Sequence, residues 1–370
     1  MNQVKKYKRC MVLAGGGFRF GIYLGMYAAA CEAGRAPDIL LASCGGALAA
    51  SIIAGLPDDV QRKAWLSSED MYHYWGGLTS SPRAGIVRTL AMAAKRGFIR
   101  DSATVIPDLF NEYLFEIPPK LPLPEVAVSQ LSQLSQQSVA TAIIGGKLLF
   151  DESEAGQPRG QRKLFAETVF CEPRAAALLA GMPSPLADPR WGDHAISEEL
   201  LCDVTTPTSL AARISITDMF YFRCHAHTDG NYFGGVLDLF PIEVARSLAD
   251  EVVMEFKQSF DQAFSIPAWR TVLGLDGNDR LRYVNGQPVD VRIDTSDVAT
   301  VLDKEAVQKK LNWLQNRISL QMPKDYATYV AYMDAQWQYG YERGMEAFTR
   351  QTAYDESHIR NSDKYSRGSA

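Results

Sequence analysis

From Ile39 to Pro57 the chain carries no charged residue, and Gly45-Gly46 stands in the middle of that stretch. The run is near the length that crosses a bilayer, but its glycine pair and small neighbours divide it into a buried strand, Ile39 to Ala42, a sharp turn, Ser43 to Gly46, and a helix, Ala47 to Ala54. That helix is apolar on every face and is stopped by Gly55 and Pro57. The preceding unit has the same build. Cys10 to Ala14 is an apolar strand, Gly15-Gly16-Gly17 a tight loop, and Ile22 to Cys31 an Ala-rich helix ended by Gly34 and Pro37. Near-continuous apolar strands that alternate with helices make a parallel sheet covered on both faces, so the fold class is α/β.

After Pro57 the periodicity predicts cover helices over Val60 to Trp75, Ile86 to Lys95 and Val105 to Leu114, followed by a Pro-rich connector from Ile117 to Pro124. The segment Ile86 to Arg100 is amphipathic and basic; it reads as a core cover, with a lid on an anionic membrane or acyl carrier as the alternative. Ser129 to Ser138 is Ser/Gln-rich and reads as an exposed edge or loop. Strands are expected at Val139 to Ile144, Leu148 to Phe150 and Leu164 to Phe170, with Gly145-Gly146-Lys147 as a hairpin turn. Further strands are expected at Tyr221 to Ala226, running into Thr228-Asp229-Gly230, and at Glu251 to Phe256. Long helical patterns cover Ala306 to Ile318 and Ala327 to Ala347, and Trp337, Tyr339, Tyr341 and Phe348 read as packing.

At 370 residues, 46% of them apolar, the chain can bury a large core as two domains or as one α/β domain with insertions. The net charge of −5 argues against nucleic-acid binding, and the short basic run Lys5 to Arg9 reads as a solvated lead-in to the first strand. Six cysteines without CxxC spacing imply reduced thiols. The apolar run Cys10 to Ala14 is too short for the core of a signal peptide, so the expected location is cytoplasmic.

A strand that turns into a buried helix through small residues lifts one side chain above the sheet edge, the geometry of a nucleophile elbow. In Ala42-Ser43-Cys44-Gly45-Gly46-Ala47-Leu48 the small residues at 42 and 46 flank Cys44 symmetrically. Ser43 competes, but it would need a small residue where Leu41 stands. Cys44 is therefore the elbow residue.

Three stretches in this order resemble the patatin-like phospholipase family: Gly15-Gly16-Gly17-Phe18-Arg19, the elbow, and Asp229-Gly230-Asn231, with Phe240-Pro241-Ile242 similar to the proline-containing stretch that follows the family's aspartate. The sequence departs from the family pattern at Cys44, where serine is usual, and at Phe20, where glycine usually follows the arginine; Ala42 and Asn231 are milder departures. The resemblance implies a patatin-like domain over residues 8–260, with 57–200 as a helical cover or insertion, followed by a helical C-terminal extension over 261–357 and a flexible tail over 358–370. It implies Cys44 as nucleophile, Asp229 as its polar partner and the amides of the Gly15, Gly16 and Gly17 loop as the oxyanion hole. Arg19, Gly46, Gly230 and His227 would support the site. Arg19 would anchor the glycine loop, or equally serve as a structural ion-pair partner.

A thiol needs less activation than a hydroxyl, whereas a carboxylate beside it raises its pKa, so Asp229 is expected to orient the participants rather than ionise the sulfur. Strand alternation places His225, His227 and Asp229 on one face. An imidazole base for Cys44 is one reading, a metal site another, and plain strand-face histidines the blandest. A metal would need more ligands, and His73, His194 and His358 form no ligand-like cluster. Dinucleotide binding is disfavoured because Phe20 occupies the third glycine of the required pattern.

The expected activity is acyl transfer from a lipid or acyl (thio)ester through an acyl-Cys44 intermediate, with hydrolysis of a lipid ester favoured and no cofactor. The alternatives are an acyltransferase fed by acyl-CoA or an acyl carrier protein, and a silent acyl-binding protein. A carrier protein and transient membrane contact are the partners considered.

Overall fold

The computed structural model describes residues 4–82, 85, 103–118, 121–124, 139–259, 265–303, 307–312 and 317–366. The strands are β1 (Tyr7–Leu13), β2 (Ile39–Ala42), β3 (Thr79–Ser80), β4 (Phe115–Glu116), β5 (Ala140–Leu148), β6 (Phe165–Cys171), β7 (Ile196–Asp203), β8 (His225–His227), β9 (Gly230–Phe233), β10 (Ala249–Phe256), β11 (Val291–Asp294), β12 (Gln308–Asn312) and β13 (Arg317–Gln321). Among the described residues the helices are α1 (Gly21–Glu32), α2 (Gly45–Gly55), α3 (Asp59–Leu66), α4 (Glu69–Gly76), α5 (Pro173–Leu179), α6 (Thr208–Ser215), α7 (Ile242–Leu248), α8 (Ser265–Leu273), α9 (Gly277–Asn285), α10 (Val298–Val301) and α11 (Tyr326–Ser366).

The central sheet runs β11-β10-β1-β2-β5-β6-β7, with the β8–β9 hairpin attached to β5. From β11 to β5 the pairings are parallel; β6 is antiparallel to β5, and β7 runs parallel to β6. Alternation along β1 divides the core. Met11 and Leu13 pack with α1, α2 and α11 on one face, while Cys10, Val12 and Ala14 pack with Ile242, Val244 and Leu248 of α7 and Leu281 of α9 on the other. The sheet is thus mostly parallel with helices on both faces. The chain leaves β1 toward β2 on one side, and β10 and β11 lie on the other, so the carboxyl ends of β1 and β2 open a crevice where the strand order reverses.

Helix α11 lies across α1 at close range. A Cβ on Gly25 would come within 2.0 Å of the Trp337 carbonyl oxygen, and one on Gly340 within 2.0 Å of that of Ile22. Trp337, Tyr339 and Phe348 are buried in this seam, with Tyr341 packed against it.

The chain departs from the expected pattern in several places. Gly145 and Gly146 lie inside β5 rather than in a hairpin turn, because aromatic rings occupy the space of the missing side chains: a Cβ on Gly146 would meet Phe233 at 2.2 Å and one on Gly145 would meet Phe170 at 2.9 Å. Val60 to Trp75 is split where Ser68 caps α4 by accepting from the Met71 amide. Residues 105–114 form turns whose apolar side chains, Ile106, Leu109 and Phe110, join a cluster with Phe150 and Phe165. Within the helix expected over Ala306 to Ile318, the described residues 308–312 and 317–318 belong to antiparallel strands, β12 and β13, not to a helix. The segment 57–200 is more than a helical insertion, since it supplies β5, β6 and most of β7, and the C-terminal region is more than helical, since β11 extends the sheet beside β10. Helix α11 continues through most of the expected tail, to Ser366. Ile86 to Arg100 and Ser129 to Ser138 fall outside the described residues.

Candidate active site

Cys44 sits between β2 and α2 with φ 49° and ψ −122°, a left-handed conformation that a non-glycine residue adopts only when its surroundings enforce it. The enforcement is visible. The Cys44 amide donates to Ser215 Oγ at 2.9 Å, and that hydroxyl donates to the Ile144 carbonyl at 2.7 Å. Gly46 touches β1 so closely that a Cβ would lie 2.0 Å from the Leu13 carbonyl oxygen, and a Cβ on Gly45 would lie 2.6 Å from that of Gly17. Ser43 is buried with its hydroxyl donating to the Asp238 carbonyl at 2.6 Å, so it takes no part in the exposed chemistry.

The carboxylate that meets Cys44 is Asp218, in the loop after α6. Cys44 Sγ donates to Asp218 Oδ2 at 3.4 Å, and Asp218 Oδ1 is buried with no hydrogen-bond partner among the described residues. Burial pushes Asp218 up to about 7, opposed by the hydrogen bond from Cys44. The thiol is pushed well above its ordinary value, first by burial and then by the Asp218 charge, while the amides of Gly45 and Gly17 on the sulfur act in the opposite direction. The pair therefore rests as thiol and carboxylic acid or carboxylate, not as a thiolate. This differs from the expected placement. Asp229 lies in the turn of the β8–β9 hairpin, where Lys147 Nζ donates to it at 2.7 Å, Tyr232 OH donates at 2.9 Å and His227 Nδ1 is hydrogen-bonded at 2.8 Å. Partial burial raises its pKa, but these three partners outweigh that and hold it well below the usual carboxylate range.

The remaining expected residues divide between the two places. Gly15, Gly17 and Gly46 are at the elbow, and a Cβ on Gly15 would lie 3.3 Å from that of Cys44. Gly16 lies beside them, with the space of its missing Cβ facing the Tyr23 ring. Arg19 donates to the Leu302 carbonyl at 3.2 Å, tying the glycine loop to the C-terminal region. Gly230 and His227 belong to the hairpin, and His225 lines a separate cavity. The glycines that approach the elbow from β9 are Gly234 and Gly235; a Cβ on Gly235 would be 2.8 Å from the Cys44 amide nitrogen. Phe233 precedes them, and the carboxylate that reaches Cys44 is that of Asp218. One signal in the sequence points to it: Asp218 is the lone charge between Ile214 and Phe222.

The thiol opens into a cavity of about 330 Å³ lined by Phe18, Leu48, Trp75, Met219, Leu239 and Trp269 among others, with Asp218 the only charged side chain in its wall among the described residues. The volume and apolar lining suit a small organic or acyl group.

No family model matches the chain, and no curated protein matches it. Among solved structures it is similar to VipD from Legionella pneumophila, at 13% identity over 94% of this chain and 67% of that one, with a TM-score of 0.38. It is also similar to the type III effector protein ExoU, at 15% identity over 93% of this chain with a TM-score of 0.33, and covers 52% of that chain, about half its length. Likeness at this level leaves the chemistry to be argued from the site itself.

Proposed function

We propose that the protein is an acyl hydrolase that cleaves a lipid ester through an acyl-Cys44 intermediate. The observation that carries this reading is the Cys44 thiol, held in a strained elbow, 3.4 Å from Asp218 Oδ2 and opening into an apolar cavity. Asp218, not Asp229, acts as the base. A carboxyl group with a pKa of about 7 is half ionised at neutral pH and matched to proton transfer. As Sγ attacks the carbonyl carbon its proton passes to Asp218 Oδ2. The carbonyl oxygen becomes an oxyanion facing the amides of Gly17 and Gly45, each such donor lowering the barrier by about 3 kcal/mol. Collapse breaks the ester bond, and the leaving alkoxide takes the proton from Asp218. Water, deprotonated by the same carboxylate, then attacks the thioester and releases the carboxylic acid and the thiol.

The elevated thiol pKa favours one competing reading, an acyl-binding pocket without turnover. Intact-protein mass spectrometry after brief incubation with phospholipids, acyl esters and acyl thioesters separates the two. A hydroxylamine-sensitive mass gain, absent from Cys44→Ala, supports the enzyme. A gain from thioesters alone, followed by transfer to an amine or alcohol, indicates an acyltransferase. No adduct and no released acid from any donor overturns turnover at Cys44.

A further inference from the structure

Phe115, Tyr221 and Phe222 line the acyl cavity, and the next residues along the same two segments, Glu116 and Arg223, line a second cavity of about 260 Å³. Arg213 of α6, His225 of β8 and Asn231 of β9 complete its polar wall. Arg213 is largely buried. Its Nη1 donates to Thr217 Oγ1 at 3.0 Å, and its Nε is buried with no hydrogen-bond partner among the described residues. No described carboxylate forms an ion pair with Arg213 or Arg223, while Glu116 is engaged by the Tyr113 hydroxyl at 2.5 Å. Burial, then the Arg213 and His227 charges, holds His225 at about 4, so its ring is a neutral donor and acceptor at physiological pH.

A desolvated guanidinium ordinarily sits against a carboxylate, because an uncompensated buried charge is destabilising. Among the described residues, two guanidiniums, an imidazole and an amide converge on one cavity with a single carboxylate, Glu116, already engaged. That donor set matches a multi-oxygen anion, and guanidinium in particular matches phosphate.

We propose that this second cavity binds a phosphate group, free or carried on a lipid headgroup, through Arg213 and Arg223. The site is separate from the chemistry at Cys44 and does not depend on it. Isothermal titration of the full chain with inorganic phosphate, and co-sedimentation with vesicles of phosphatidylcholine with or without phosphatidic acid, test it. Phosphate binding is expected in the wild type and in Cys44→Ala, weakened at least tenfold in Arg223→Gln, and unchanged in Lys324→Gln, which removes an exposed charge elsewhere. Arg223 is exposed, so its variant keeps the fold even where Arg213→Gln loses it. Binding of phosphate without the vesicles assigns a soluble source; binding of the phosphatidic acid vesicles alone, lost in Arg223→Gln but not in Lys324→Gln, assigns the headgroup. No binding of either by the wild type, or equal binding by Arg223→Gln, overturns the proposal.

Discussion

Two aspartates, Asp218 and Asp229, stand in environments that drive them in opposite directions. Asp229 follows a strand and precedes a glycine, the local pattern that marks it in the sequence, yet it is half exposed and satisfied by Lys147, His227 and Tyr232. Asp218 has no motif around it, lines an apolar cavity with its Oδ1 buried, and among the described residues meets only the Cys44 thiol through its side chain. The difference teaches that desolvation without compensation is what raises a carboxylate's affinity for a proton. A carboxylate surrounded by donors is too stable as an anion to take a proton, whereas one left dry and underbonded takes it readily.

The sharpest break between the two regions is loss of the sulfur itself: Cys44→Ala is expected to abolish covalent adduct and acid release, read by mass spectrometry. Next, Asp218→Asn is expected to lower turnover by about 10²- to 10³-fold, against less than about threefold for Asp229→Asn, measured as kcat on the best donor. The reverse result would return the role to the hairpin. The pH dependence sharpens the same contrast. Turnover should rise with pH through a midpoint near 7 as Asp218 ionises, and that limb should persist in Asp229→Asn.

Stability separates the regions further. A Cβ on Gly46 meets backbone at 2.0 Å, while one on Gly230, at φ 143°, meets only the flexible end of Lys147 at 3.2 Å. Gly46→Ala is therefore expected to destabilise by more than about 3 kcal/mol and Gly230→Ala by about 1 to 2 kcal/mol, in urea melts. For Asp218 the folded pKa lies above the unfolded one, so its burial is harmless below about pH 4 and increasingly destabilising as pH rises toward 7. At pH 8, Asp218→Asn is expected to stabilise the fold by about 4 kcal/mol, an effect absent at pH 4. Removing the ion pair with Lys147→Met should matter least, by about 0.5 kcal/mol, because Asp229 is half exposed.

The first two strands, the glycine loop and the elbow were legible because they are local: each strand, turn and helix is written in consecutive residues whose apolar period and small side chains admit one arrangement. Cys44 follows from the same logic, since only a residue flanked by small neighbours can stand at so crowded a turn. Where two periodicities are both compatible with a short run, as in residues 308–312, the sequence leaves the choice between helix and strand open.

Sequence by itself thus determined the α/β class, the parallel opening and the elevated thiol position at Cys44. Tertiary structure alone decided which acid meets the thiol, because the partner lies 174 residues away and is selected by the path of the chain after α6, not by its neighbours. It likewise decided that β5 runs straight through Gly145-Gly146, since the reason is the ring of Phe233 arriving from β9. Local backbone preferences act over a few residues, whereas desolvation, which gives Asp218 its chemistry, exists only after distant segments have closed around it.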